Sequence, residues 1–544
     1  MRRESFLNNP IGSFKGANSL SRFASSYGRA QSFKAIEPIS SAARSYFRDG
    51  DALFDRDTLA PAFNGEPLSS VVHGNDFDFL KNRPSQDDMD YHSGDYSAVI
   101  DDVSISQHSV YSYGAIHNLE SSLTEFQETT PLVLKKVETK GKLVTVIAGQ
   151  STAPQTVFNS VNVLIGIGLL ALPLGFKHAG WVFSIPALTL CAFLTFYSAD
   201  LLSRCMDTDP TLMTYSDLAY TSFGPKGRAL ISILFSLDLL GSGVSLIVLF
   251  ADSLNALFPS ISINQFKFIA FLVLTPPSFL PLNILSLVSL LGITSTITVV
   301  GVIFISGLTK KDAPGSLIEM STTYMFPKTS ADALIAIGIL MAPFGGHAIF
   351  PNLKVDMRHP HKFKDSLKIT YSITFLTDMS MAAIGFLMFG SNVKEEVTKS
   401  VLTTSGYPKF TYFIICTLMA IVPISKTPLN ARPIISIFEM MFKVESISHF
   451  KGFAYAWRFL LRTSVILGVN AAFVFVSVLI PDFDKIISFL GAGLCYLLCL
   501  ILPCLFYINI CHKTITRREK IQCWIIIVVS SILSIVGTTA VFVL

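Results

Sequence analysis

Charge is scarce in this chain: Asp, Glu, Lys and Arg make up 15% of its 544 residues, against about a quarter in a typical soluble protein. With so little charge, 51% hydrophobic residues, 44 Phe and a mean hydropathy of +0.53, an ordinary soluble protein is excluded. A dominant charge sign is also missing. The formal net charge is +4, too small for the concentrated basic face of a nucleic-acid binder. A disulfide framework is lacking, because all eight Cys lie in or beside apolar stretches, where a thiol packs as a small apolar group. No apolar run follows Arg2 and Arg3, so no secretory leader is expected. Nucleophile elbows, zinc-ligand spacings and phosphate loops are absent, and neither an enzyme nor a cofactor or metal is expected. Gly166-x-Gly168-x-x-Ala171 matches a dinucleotide fingerprint, but no strand–helix–strand unit surrounds it. The class that remains is an all-α polytopic membrane protein.

Two domains are expected, a cytosolic tail over 1–148 and a transmembrane unit over 149–544. The first 48 residues carry eight basic side chains against two acidic ones, and residues 49–128 reverse this with sixteen acidic against three basic. Neither stretch keeps a helical or strand period, so the tail is read as largely disordered. Arg22 to Ser25 and Arg29 to Ser32 are candidate kinase sites, since a phosphate there adds charge.

Roughly 20 apolar residues cross a bilayer as a helix. By that measure eleven spans follow, near 153–176, 180–203, 228–250, 266–282, 284–307, 332–350, 367–389, 408–437, 457–480, 484–508 and 521–543. Pro276, Pro277 and Pro281 crowd the join of the fourth and fifth. With the tail cytosolic, fifteen Lys and Arg fall in cytosolic loops and nine on the far side, the bias expected of that orientation. An odd number of spans then puts the C-terminus on the far, lumenal side.

Two spans are broken. The first reads Asn159-Ser-Val-Asn162-Val-Leu-Ile-Gly166-Ile-Gly168-Leu-Leu-Ala-Leu-Pro173, and the sixth Pro343-Phe344-Gly345-Gly346-His347-Ala-Ile-Phe-Pro351. In each, Gly and Pro stand five apart (Gly168 to Pro173, Gly346 to Pro351). An odd offset of five spans makes the two run in opposite directions, the pattern of an inverted-repeat transporter with its site near the midplane. Unwinding at Gly166–Gly168 frees amides for a carboxylate, and unwinding at Gly345–Gly346 frees carbonyls for an ammonium. The substrate expected is therefore a zwitterionic amino acid, touching Asn159, Asn162, Gly166, Ile167, Gly168, Leu169, Phe344, Gly345, Gly346 and His347. Packing and kinking account for single Gly and Pro residues in membrane helices, but less readily for a matched pair of breaks.

Ionisable residues within spans are the other signal. Each costs about 2.5–3.5 kcal/mol or more when exposed to lipid, so Asp238, Asp378 and Lys426 should face the bundle interior. Lys426 stands between Pro423 and Pro428 and is expected to supply a fixed charge in place of a bound sodium ion. Asp238 is the candidate proton carrier, Asp378 is read as a structural hydrogen-bonding group, and His347 as either a titrating group or a structural donor.

The first-span stretch from Thr156 through Gly180-Trp181 resembles the amino acid/auxin permease family, most closely its fungal vacuolar members. Thr214-Tyr215-Ser216-Asp217-Leu218-Ala219 through Phe223-Gly224, Pro343 to His347, and Ser425-Lys426-Thr427 are similar to the same family. The resemblance covers about residues 150–540. It implies a leucine-transporter-like 5+5 inverted repeat plus one helix, and proton-coupled exchange that loads neutral amino acids into an acidic vacuole. Glu128-Thr-Thr-Pro-Leu132-Val133 resembles an acidic dileucine signal, with Val in the last place, for a sorting adaptor. The partners expected are neutral amino acids, protons and membrane lipids, with kinases and adaptors on the tail and no nucleic acid. A sodium- or proton-coupled symporter at the plasma membrane and a channel are the alternatives.

Overall fold

A computed structural model of the chain describes residues 151–209, 212–280, 282–442 and 453–543, with the strand backbones 134–139 and 142–147, Gly149, and Phe23, Ser26 and Tyr27 from the tail. The expected disorder of the tail, its kinase sites and its sorting signal otherwise lie outside the described residues.

The described chain is helical except for one antiparallel hairpin, β1 (Leu134–Thr139) and β2 (Lys142–Ile147), registered Leu134 to Ile147 and Thr139 to Lys142. The hairpin lies inside the stretch expected to be disordered and corrects that expectation locally. Its sequence signal is the β-branched content of Val137, Thr139, Val144, Thr145 and Val146.

Among the described residues, eight helices are long and apolar enough to cross a membrane. The three remaining expected spans are irregular rather than absent. The first is broken into α1 (Ala153–Leu164) and the start of α2 (Gly168–Asp207). Forty helical residues would run about 60 Å, twice the hydrocarbon thickness, and α2 is in fact two spans folded at Gly180, where φ is 69°. A Cβ at Gly180 would lie 2.6 Å from the Met325 carbonyl oxygen; only glycine suits both that φ and that approach. A similar fold at Gly224 divides α3 (Tyr215–Leu257) into a short lead helix and the third span. The fourth span is α4 (Ile263–Leu274) plus a 3₁₀ turn over Pro276–Phe279, so the break lies where the prolines crowd. The fifth is α5 (Leu282–Thr309), and the sixth is broken into α6 (Ser330–Met341) and α7 (Phe350–Val355). There follow α8 (Phe363–Phe389), the loop helix α9 (Val397–Thr403), α10 (Lys409–Met441) and α11 (Phe453–Leu479). The tenth span is α12 (Phe483–Phe489), a wide π-helical stretch over Leu490–Ile501, and α13 (Leu502–Ile510); α14 (Arg517–Val543) ends the chain.

Lipid-facing positions are apolar, as at Phe193, Leu376 and Phe475, exposed by 64%, 68% and 65%. Helix α8 packs along α2, and α10 along α3 and α5. Ion pairs mark the two ends of the bundle. Asp200 near the end of α2 binds Arg204 at 2.8 Å and Lys364 at the start of α8 at 3.0 Å, while Arg204 reaches Glu519 at the start of α14 at 3.0 Å. At the other end Asp252, late in α3, binds Lys399 of α9 at 2.8 Å. The second span therefore ends where the seventh and eleventh begin, as a chain that alternates sides requires.

Candidate functional site

Local sequence sets both breaks. Helix α1 starts at a capping box, with the Thr152 amide donating to Gln155 Oε1 at 2.9 Å. It stops at Leu164, and Ile165 takes extended backbone (ψ 97°) before Gly166. Helix α6 starts at Thr329, whose hydroxyl accepts from the Asp332 amide at 3.1 Å. It ends in a 3₁₀ turn over Ala342–Phe344, and the chain resumes as helix at Phe350 with Pro351 in its first turn.

The glycines let the breaks interlock. A Cβ on Gly168 would lie 3.0 Å from the Pro343 nitrogen and 3.2 Å from the Ala342 carbonyl carbon. Reciprocally, a Cβ on Gly346 would lie 2.8 Å from Leu164 Cδ2 and 3.1 Å from Val163 Cγ1. Behind them, Gly338 of α6 and Gly491 cross so closely that a Cβ on Gly491 would sit 1.8 Å from the Gly338 carbonyl oxygen.

Around the crossing lies a cavity of about 150 Å³, a volume that in a soluble protein accepts a benzene-sized molecule. The first span contributes Asn162, Gly166, Ile167 and Gly168 to its wall, and the sixth contributes Pro343, Gly345, Gly346 and His347. Lys426 and Asn430 enter from α10, and Asp238 and Ser242 from α3. Much of the rest is apolar, including Phe235 and Leu246 of α3 and Ile487, Leu490 and Leu498 of the tenth span. Of the residues expected at the site, Asn159, Leu169 and Phe344 lie outside this wall. Leu169 and Phe344 are fully buried in the core, with the Phe344 ring stacked on Tyr371 at 6.4 Å. Asn159 donates to Ser26 instead, at 2.7 Å.

Lys426 Nζ donates to the Ile165 carbonyl at 2.8 Å. An ammonium thus meets the carbonyl end of α1, the end that the helix dipole makes negative. The amides that open α2 at Gly168 have no acceptor within their own helix. Asn162 donates to Ser289 Oγ at 2.9 Å, and its Oδ1 has no partner among the described residues. His347 is held as a donor: Nε2 lies 3.0 Å from the Thr195 carbonyl and 2.9 Å from Ser198 Oγ, whose own proton is directed at the Cys499 carbonyl, 2.6 Å away. Its Nδ1 is buried without a partner among the described residues. Asp238 is half-buried on the cavity wall. The hydrogen bond expected of Asp378 is not found: it is fully buried in α8, and both oxygens lack a partner among the described residues.

Sequence reasoning missed the tenth span's part in the site. Its π stretch places Cys495, Leu498 and Cys499 on the wall, and two of its carbonyls accept from side chains, Leu498 from Tyr215 at 2.7 Å and Cys499 from Ser198. Wide turns of this kind are frequent at functional sites. Gly491-Ala-Gly493 was the available signal.

Two broken spans that meet around a small cavity are the arrangement expected of a membrane transporter. The chain matches the transmembrane amino acid transporter protein family over residues 149–543 and belongs to it. It is similar to amino acid transporter AVT1E of Arabidopsis thaliana, with 30% identity over 400 residues covering 71% of this chain and 72% of the relative. Amino acid transporter AVT1B of the same plant is 30% identical over 404 residues, covering 72% and 71%. Among solved structures, a Na+-coupled sialic acid symporter in a substrate-bound outward-open state aligns with a TM-score of 0.43 and 14% identity, covering 70% of this chain and 86% of the other. A nucleobase-cation-symport-1 family transporter in a closed conformation aligns with a TM-score of 0.44 and 10% identity, covering 72% and 90%. The relatives found in sequence are transporters, which agrees with the expectation that this chain is not an enzyme.

Proposed function

We propose that this protein exchanges protons for neutral amino acids across the vacuolar membrane, with its N-terminus cytosolic and its C-terminus lumenal. The observation that carries the reading is the interlock of the two breaks around one cavity, with backbone of opposite polarity on either side. A substrate carboxylate is received by the amides at Gly166–Gly168, and its ammonium by the carbonyls at the end of α6 with Asn162 Oδ1 and His347 Nδ1. The apolar wall from α3 and the tenth span suits an uncharged side chain. Lys426 stands on the Ile165 carbonyl, where a metal cation would otherwise offset the end of α1, which favours proton over sodium coupling. Asp238, on the same wall, is the proposed proton carrier. The vacuolar address and the loading direction rest on the resemblance of the first-span motif to fungal vacuolar transporters.

Uptake of labelled neutral amino acids into sodium-free proteoliposomes tests this. Transport that follows an imposed pH gradient and ignores added sodium is expected. Uptake that requires sodium and ignores pH would instead support the symporter alternative.

A further inference from the structure

Three tail residues reach the transport unit. Phe23, Ser26 and Tyr27 have helical backbone, and their spacing of three and four places them on one helix face. All three are buried, at 2%, 0% and 4% exposure. The Phe23 ring meets Phe158 of α1 edge-on at 5.1 Å. Tyr27 packs with Leu285 of α5 and Leu429 of α10, and it forms part of the cavity wall.

Ser26 lies in a directed hydrogen-bond chain. Ser151 Oγ donates to Asp356 Oδ2, so its oxygen is left to accept from Ser26 Oγ at 2.5 Å, and Ser26 Oγ in turn accepts from Asn159 Nδ2 at 2.7 Å. Ser151 also pairs through its backbone with the chain just after α7: its amide donates to the Asp356 carbonyl at 2.6 Å, and the Arg358 amide donates to the Ser151 carbonyl at 2.9 Å. The tail thus touches the outer arm of the first broken span through Phe158 and Asn159, and it is linked to the chain after the sixth through Ser151, 125 positions away in sequence from Ser26.

We propose that the segment carrying Phe23, Ser26 and Tyr27 is a plug docked by the chain on its own transport unit, closing the tail-side entrance to the cavity. Its occupant is specified by the contacts: two aromatic rings fill apolar recesses, and one hydroxyl completes a polar chain that would otherwise leave Asn159 Nδ2 unpaired. Because the tether makes docking intramolecular, modest contacts suffice to keep the site occupied. Transport then requires undocking. A negative charge at Ser26 opposes docking, since it would be buried within a hydrogen-bond chain that ends on the Asp356 carboxylate.

The inference rests on the transport reading above, and its test separates the two. The full chain is reconstituted as wild type, as Phe23→Ala/Tyr27→Ala, as Ser26→Asp, and as Tyr27→Cys/Leu429→Cys with Leu429→Cys as its control. Initial amino-acid uptake should rise about threefold or more in the first two variants, as the undocked population grows. Oxidation of the double-cysteine variant should cross-link it and lower uptake about tenfold relative to the control, with recovery in dithiothreitol. Wild-type rates in both undocking variants, a cysteine pair that does not cross-link, or a cross-linked protein that transports like the reduced one would overturn the plug. Absence of uptake in wild type and all variants alike would count against the transport reading instead.

Discussion

Replacing Gly168 by alanine adds a single methyl group where the two breaks touch. Its nearest neighbours would be the Pro343 nitrogen at 3.0 Å and the Ala342 carbonyl carbon at 3.2 Å. Both are backbone atoms, so no side chain can rotate away, and one break must move relative to the other. Overpacking of this kind costs about 1–3 kcal/mol. Charged against the conformation in which the breaks interlock, that corresponds to a loss of about 5- to 150-fold in its population relative to other states. Gly346 offers an internal comparison. Its added methyl would meet Leu164 Cδ2 at 2.8 Å and Val163 Cγ1 at 3.1 Å, which are the ends of side chains that can turn. Gly346→Ala should therefore cost about 1 kcal/mol or less and lower uptake only severalfold, whereas Gly168→Ala should lower it about tenfold or more. Branched replacements, Gly168→Val and Gly346→Val, should abolish transport at either position. The assay is initial uptake per reconstituted molecule, with Gly301→Ala as control because a Cβ there meets nothing within 4 Å. If Gly168→Ala transports like wild type, or less impaired than Gly346→Ala, the interlock is not part of the transport cycle.

Lys426→Ala removes a charge-assisted hydrogen bond to Ile165, worth about 1.5–3 kcal/mol, and uptake should fall by tenfold or more on that scale; Lys426→Arg should restore little, because its planar fork does not match a single carbonyl. Asp238→Asn should reduce the response of uptake to a pH gradient more than it weakens substrate binding, as measured by counterflow at equal pH. Glu396, in the loop before α9, is fully buried, and burial, followed by the repulsion of Asp252, pushes its carboxyl well above the usual value despite Lys399, with Glu395 adding to the rise. The folded chain therefore holds this proton more tightly than the unfolded chain. Stability is full below the ordinary carboxylate value and falls as pH rises toward the raised one. Thermal unfolding should show wild type losing stability as pH rises above the ordinary carboxylate range, and Glu396→Gln flattening that slope. A protease-accessible tag at the C-terminus should be protected in sealed vacuoles, while one inserted near Lys362 should be cleaved from the cytosolic side.

Much was legible in the chain itself. Membrane class follows from composition, because a bilayer demands runs of apolar residues that no soluble core requires. The two breaks follow from Gly and Pro, whose backbone preferences act locally and need no partner. The interior placement of Asp238 and Lys426 follows from the cost of charge in lipid. Other features depended on contacts between distant segments. Nothing local says that Lys426 reaches the Ile165 carbonyl, 261 positions away. Nor could the chain reveal that Asn159, a polar residue on a broken helix, turns to Ser26 rather than to the cavity. Gly491-Ala-Gly493 marks the tenth span as irregular, but not that its backbone widens into π turns, whose carbonyls at Leu498 and Cys499 accept from Tyr215 and Ser198 of other helices. Asp378 looked like a hydrogen-bonding group because a carboxyl inside a span ordinarily finds a partner, and only packing shows that none of the described residues provides one. Single-residue chemistry determined what kind of protein this is and where its helices break. Which groups meet at the breaks was decided by the tertiary structure, because the close approaches of glycine, lysine and carbonyl exist only once the spans have packed.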